Sequence, residues 1–399
     1  MSSLDTREEI SRFISQTRIT NTHCHHLDDA LYKDIGLRDV LERSYAAWCA
    51  EIPDIFDIAA ADGFIKKARC NTFFRWLARS IEALYSLPFT AENFPAIDAR
   101  IRAAHADEAH HLNIMTDICR FESIINERQP NPGSNLGHPR LFKPSFRCDS
   151  LFSGFDKDLP DNDGFFCAAL FHGGYPETLR DFLTAAAGVI KEKKADGCVA
   201  LKVAMAYIRP INFDFTDFEK AEKAFGNSGA SACETAAFGN VLMHSICGAA
   251  VENGLPVQIH TGMAALEGTR PLELLNLIKS HPETKFHLLH GGFPWFSDTY
   301  ALLASFKNVW SDVCWVPYLS TSRAADYIVT ALEVSGSDRL TWGCDAWMPE
   351  DSYGALLAME HTLSKALSQM VSDGAFDINY AKYLAGRIMR ENGKLLFGI

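Results

Sequence analysis

The second half of the chain repeats one pattern, and that pattern restricts the fold more than any other feature. Short apolar runs of strand length alternate with segments of helical spacing. "CVALKVAM" (198–205) precedes "SACETAAFGNVLMHSICGAAVENG", and "LPVQIHTG" (255–262) precedes "PLELLNLIKSH". "KFHLLHGG" (285–292) precedes "DTYALLASFK", "NVWSDVCW" (308–315) precedes "SRAADYIVTALEVSG", and "RLTWGCDA" (339–346) precedes "YGALLAMEHTLSKAL". Strands that alternate with helices imply a parallel sheet. Five consecutive units without a reversal favour a closed barrel over an open sheet.

The first half is less regular. "RITNTHCH" reads as strand one, "SIINER" (123–128) as strand two and "LFKPSFRC" (141–148) as strand three. Between strands one and two, about 30–120, the pattern is helical, in "LRDVLERSYAAWCAEI", "NTFFRWLARSIEALYSL" and "AIDARIRAAHADEAHHLNIMTDI". The expectation is a single (β/α)8 TIM barrel over residues 1–399 with a helical insertion over its mouth. "QPNPGSNLGHPR" (129–140) is a loop by its Pro, Gly and Asn content, and 206–230 begins as a loop that can act as a lid.

Composition narrows the partners. The 47% hydrophobic and 22% charged content is that of an ordinary globular enzyme, and 27 Phe and 7 Trp supply a large core. A net charge of −12 argues against nucleic acid or an anionic membrane as the main partner, while leaving room for a basic pocket that binds a small anionic substrate. The eleven cysteines are scattered without a CxxC, as in a chain kept reduced. The amino terminus is polar with no apolar signal core, and no run approaches the roughly eighteen apolar residues of a membrane span. The expected compartment is the cytoplasm; oligomeric state stays open, a homo-oligomer included.

Strand alternation puts His23 and His25 of "ITNTHCHH" on one face and Cys24 and His26 on the other. An HxH pair alone is a weak signal, since two hydrogen-bonded polar side chains explain it equally well. The other strand ends strengthen it. Strand five ends in His260, strand six in His290 and strand eight in Asp345. In a parallel barrel those ends converge on one rim, where active sites are built. His and Asp donors suit zinc or a similar first-row ion. Lys202 lies inside strand four between Ala200 and Ala204. It either faces the metal, as a carboxylated bridge between two ions or as a cation for a substrate carboxylate, or it snorkels outward. Arg147 at the end of strand three and Arg209 after strand four are candidate carboxylate anchors, or ordinary paired arginines. Trp295, Trp315 and Trp347 follow strands six, seven and eight, and either line the mouth or pack beneath it.

This set resembles the amidohydrolase superfamily, whose pattern is HxH on strand one, a lysine or other group on strand four, histidines on strands five and six, and aspartate on strand eight. Here those positions are His23 and His25, Lys202, His260, His290 and Asp345. Within it the chain is most similar to the amidohydrolase-related branch, which holds decarboxylases and lactone hydrolases. "ALKVAMAYIRP", "PVQIHTGM", "HLLHGGFPW" and "GCDAWMPE" resemble segments of the barrel domain fused to glutamine synthetase in some proteins. A partial likeness to uronate isomerase rests on the long helical stretch after "HCHH" and on "SFRCD" (145–149). The chain departs from that enzyme in having Trp347, where an arginine is usual, and in having His290.

The resemblance implies a metal-dependent hydrolase. His23, His25, His260 and Asp345 would hold one divalent ion, most simply zinc, or two if Lys202 is carboxylated. Asp345 would shuttle the proton of the attacking water, and His290 would orient or polarise the substrate carbonyl, or serve as a further ligand. The alternative it leaves open is an isomerase or decarboxylase acting on a sugar acid or other carboxylate; a binding barrel without turnover ranks last.

Overall fold

A computed structural model describes residues 3–128 and 133–399, with side chains from Asp5 onward. Residues 129–132 of the expected loop lie outside the described residues; its remainder, from Gly133, runs as turns. All eight strands form where the apolar runs place them. They are β1 (Ile19–Cys24), β2 (Phe121–Asn126), β3 (Phe142–Arg147), β4 (Ala200–Val203), β5 (Val257–His260), β6 (Phe286–Leu289), β7 (Val309–Asp312) and β8 (Leu340–Thr341). Each pairs in parallel with the next, in the order β1 to β8. Strands covered on both faces need apolar residues at nearly every position, which is why the runs are continuous.

Closure is made by the backbone beyond β8. Thr22 N–H donates to Trp342 O (3.2 Å), Asp345 N–H to His23 O (2.9 Å) and His25 N–H to Ala346 O (3.0 Å). The result is a nearly closed (β/α)8 barrel. At the opposite end Phe397 of the terminal helix Asn392–Phe397 lies 5.6 Å from the His287 ring and is buried with Val199 and Trp310.

The outer helices carry their own start signals. Ser231 and Glu234 form a capping box on Ala232–Glu252, and Asn71 caps Thr72–Tyr85 by accepting from the Phe73 and Phe74 N–H groups. The segment 206–230 is not a free lid. Ile211 and Phe213 are fully buried, Ile211 N–H donates to Gly268 O, and His244 Nε2 lies 2.9 Å from Phe213 O. Two apolar anchors and their backbone bonds hold this stretch on the barrel.

A polar floor crosses the barrel interior. Asp312 on β7 accepts from the Thr22 hydroxyl, from Thr341 Oγ1 (2.8 Å) and from the Gly343 and Cys314 N–H groups, and lies 3.2 Å from His287 Nε2. Gln258 Nε2 donates to Thr22 O (2.9 Å), and Ser145 Oγ donates to Gln258 Oε1 (3.1 Å). Burial alone would raise the Asp312 carboxyl, but His287 and the hydroxyl donors outweigh it and hold it low.

The insertion contains the helices Leu37–Glu42, Ile58–Ala68, Thr72–Tyr85, Phe94–His105 and His110–Asn113. The first four share an apolar cluster of their own, including Phe64, Phe74, Leu77, Ile81, Phe94 and Ile97, which reaches Met348 after β8. A buried polar joint fastens it. Glu350, at the start of the helix Pro349–Ser372, accepts from Tyr85 O–H (2.6 Å) and lies 2.8 Å from His105 Nε2, while Ser80 Oγ donates to its backbone carbonyl (2.5 Å). Removing one partner of a buried charged pair strands the other. Glu350→Ala is therefore expected to lower stability by about 3–5 kcal/mol, read from urea melts, and to speed proteolytic cleavage of the insertion.

Candidate active site

The rim at the carboxyl ends of the strands encloses a cavity of about 220 Å³. His23, His25, Glu127, Arg147, Lys202, His260 and Asp345 line it, with Tyr45, Trp48, Tyr207, Trp315 and Trp347 as an aromatic wall. Tyr45 and Trp48 come from the insertion, so that segment builds part of the pocket.

Three expected ligands converge. Asp345 Oδ1 lies 3.0 Å from His25 Nε2 and 3.5 Å from His23 Nε2, and all three belong to one compact donor group. Donor atoms on a tetrahedral ion with bonds of ~2.0–2.1 Å stand roughly 3.3 Å apart, so this spacing fits a zinc-sized ion. The buried Asp345 Oδ1 has no hydrogen-bond partner among the described residues, which also fits a cation at this point. His25 Nδ1 lies 3.2 Å from the Glu127 backbone carbonyl, which holds the ring so that Nε2 faces inward. Burial alone would lower His25, but the Glu127 and Asp345 carboxylates raise it. Burial, with Lys202 and the neighbouring imidazoles, drives His23 well below its ordinary value and keeps it neutral, the form that ligates.

His260, expected as a ligand, stands back from this group. Its Nε2 lies 3.0 Å from Met263 O and its Nδ1 2.9 Å from His290 Nε2, so both ring nitrogens are engaged. Burial first, then Lys202, pulls it down to about 3. His290 is the nearer of the two: its Nδ1 is 3.6 Å from Asp345 Oδ2 and 3.3 Å from Cys314 Sγ. The Trp315 ring stacks on it at 4.5 Å. His290, Trp315 and Asp345 all adopt positive φ, at 66°, 65° and 53°. Such left-handed backbone costs about 1–3 kcal/mol at a residue other than glycine. Trp315 and Asp345 line the cavity, whereas the buried His290 packs against both without lining it.

Lys202 faces inward. Its Nζ donates to Glu127 Oε2 (2.8 Å) and lies 3.4 Å from His23 Nε2. Glu127 Oε1 in turn accepts from Arg147 Nη1 (2.9 Å), and Arg147 also pairs with Asp149 (2.8 Å) and Asp163 (3.0 Å). Arg209 is not in this site. Its guanidinium donates to Ala236 O, Asn212 O and Asn240 Oδ1 and lines a separate pocket beside Phe152 and Phe155. Trp315 and Trp347 line the mouth as one of the two readings has it, whereas Trp295 does not. Glu127 directly follows β2, so the strand-end rule that selects His260 and Asp345 selects it too. Tyr45 and Trp48 carry no such signal.

The chain resembles the amidohydrolase superfamily in sequence and in fold. The family model described as Amidohydrolase matches residues 211–377. Protein fluG of Emericella nidulans is 30% identical over 148 residues, which cover 36% of this chain and only 17% of that protein. Among solved structures, glucuronate isomerase from Caulobacter crescentus has a TM-score of 0.77 at 15% identity, covering 100% of this chain and 94% of its own. Uronate isomerase from Thermotoga maritima has 0.75 at 15%, covering 98% and 97%. A Lactobacillus casei protein provisionally described as a metal-dependent hydrolase has 0.69 at 16%, also covering 98% and 97%. At such identities the likeness is one of fold. Among the described residues no helix is long and apolar enough to cross a membrane.

Glu127 ties the two cations of the site together. Burial alone would raise its carboxyl, but Lys202, Arg147 and His25 outweigh that and hold it far below the usual carboxylate range. A depressed folded pKa contributes stability that is complete above the unfolded value of about 4.5 and is lost as pH falls below it. Glu127→Gln is expected to cost about 3–5 kcal/mol at pH 7. The gap to the parent protein should narrow steadily toward pH 3, as followed by urea melts across that range.

Proposed function

We propose that this chain is a metal-dependent hydrolase that cleaves an amide, lactone or similar carbonyl-type bond of a small molecule bearing a carboxylate. The observation that carries the reading is the convergence of His23 Nε2, His25 Nε2 and Asp345 Oδ1, with Asp345 Oδ1 left without a hydrogen-bond partner. Zinc suits two imidazoles and a carboxylate. When bound, such an ion polarises a carbonyl and lowers the pKa of water toward about 7.

The chain's own groups do the rest. Asp345 takes the proton of the attacking water and returns it to the leaving group. His290, kept neutral chiefly by burial, orients the scissile carbonyl, and His260 fixes the His290 ring through their 2.9 Å contact. Arg147 anchors the carboxylate, and the aromatic wall covers an apolar or ring-shaped body and excludes water. One ion is favoured over two by the Lys202–Glu127 pair at 2.8 Å. Carboxylating Lys202 would replace that attraction with two facing carboxylates in buried space. All eleven cysteines stand free, which supports a reducing, cytoplasmic setting.

A second reading, isomerisation of a sugar acid, is supported by Arg147 in the cavity and by the fold likeness to uronate isomerases. Against it stand His290 and Trp347, whose ring stacks on His25 at 5.2 Å. The zinc- or manganese-loaded protein should turn over members of a panel of lactones and amides in preference to uronates. His23→Ala should lose bound metal in elemental analysis, and turnover should fall by roughly a thousandfold. Unchanged metal content in that variant would refute the ligand assignment. Uronate turnover that survives His290→Ala but not Arg147→Gln would replace the hydrolase reading with the isomerase one.

A further inference from the structure

Three carboxylates surround the Arg147 guanidinium, and they are not equivalent. Glu127 and Asp149 have no side-chain exposure, and each has a second anchor. Glu127 Oε2 accepts from Lys202 Nζ, and Asp149 Oδ1 accepts from Ala204 N–H at 2.8 Å. Asp163 differs: its side chain is 31% exposed, and among the described residues its carboxylate is tied only to Arg147 Nη2. It sits at the tip of a loop whose other bonds are internal. Asp161 Oδ1 accepts from the Asp163 and Phe165 N–H groups, both at 2.9 Å. Asp161 N–H donates to Phe165 O, Gly164 N–H returns to Asp161 O, and Pro160 bridges Phe166. Among the described residues, the Asp163–Arg147 contact is the one hydrogen bond or ion pair of residues 160–164 that reaches beyond the loop-closing partners Phe165 and Phe166. Asn162 and Asp163 both line the cavity.

We propose that Asp163 is a displaceable counter-ion that occupies the substrate-carboxylate position on Arg147, so that binding exchanges one carboxylate for another and lifts the 160–164 tip. This rests on the reading of Arg147 as the substrate anchor. The exchange never leaves the guanidinium bare in a low-dielectric pocket, which makes the resting state inexpensive to hold and inexpensive to leave. It also makes the site selective. A neutral ligand cannot replace Asp163 and must bind beneath a closed tip, whereas a carboxylate opens it. Glu127 and Asp149 keep the guanidinium aimed throughout, because neither is released.

Benzoate, with its uncharged counterpart benzamide, is a suitable probe for a cavity of this size with aromatic walls, measured by calorimetry on the zinc-loaded protein. Asp163→Asn removes the competing charge at nearly constant shape and should bind benzoate at least about fivefold more tightly than the parent, the factor equivalent to ~1 kcal/mol of a lost partly exposed ion pair. Benzamide affinity should stay within about twofold. In the parent protein, saturation with benzoate should speed hydrogen exchange at the Asp163 and Phe165 amides. No tightening in Asp163→Asn, no benzoate binding to it, or unchanged exchange in the parent would each overturn the proposal. Arg147→Gln separates the two levels. If it binds benzoate as well as the parent does, the anchor reading itself fails. If it binds more weakly while Asp163→Asn shows no gain, the anchor stands and only the displacement is wrong.

Discussion

The backbone hydrogen bond from Asp345 N–H to the His23 carbonyl does two jobs. It joins the end of the sheet to its beginning, and it brings the strand-eight carboxylate against the strand-one imidazoles. Without closure, His23 and Asp345 would be more than 300 positions apart with no common frame. Closure itself leans on the polar floor below. Asp312 gathers donors from β1, β8 and the turn after β7, and its charge is sustained by His287. A buried carboxylate is costly unless satisfied on several sides, so the floor admits few alternative registers of the strands that supply its donors.

The floor also explains a local departure from strand periodicity. Thr22 and His23 are adjacent, yet Thr22 reaches Asp312 and His23 reaches Lys202 and Asp345. β1 shifts register against β2 between Asn21 and Cys24, and such an irregularity re-aims successive side chains. β6 shows the same at its end. His287 belongs to the floor and His290 lies against Asp345, and the left-handed turn at His290 allows both to point inward.

The insertion turns a generic barrel rim into a particular pocket. Its own apolar core lets it keep its shape, and the Glu350 joint fixes that shape to the helix that follows the metal-side aspartate. Tyr45 packs edge-on against Trp315 at 5.0 Å and tilted against Trp347 at 5.4 Å, so the wall is continuous from insertion to barrel. Under the proposed function, the aromatic wall would sort ligands by shape and the Arg147 carboxylates by charge.

Much of this was legible in the sequence, because the information is periodic and local. Five consecutive apolar runs of strand length, each followed by a segment of helical spacing, specify the barrel, with three less regular strands before them, since strands buried on both faces admit little else. The strand-end rule marks His23, His25, His260, His290 and Asp345 for the same reason: parallel strands share a rim. Partnership is not local. Whether Lys202 faced a metal or a carboxylate, whether His260 offered a free nitrogen, and whether Arg147 or Arg209 entered the cavity depended on groups tens to hundreds of positions away. The sequence by itself determined which residue types reach the rim. The tertiary structure alone decided which are already spent on one another, because the pairing of buried charges is set by distances of a few ångströms that only the closed barrel defines.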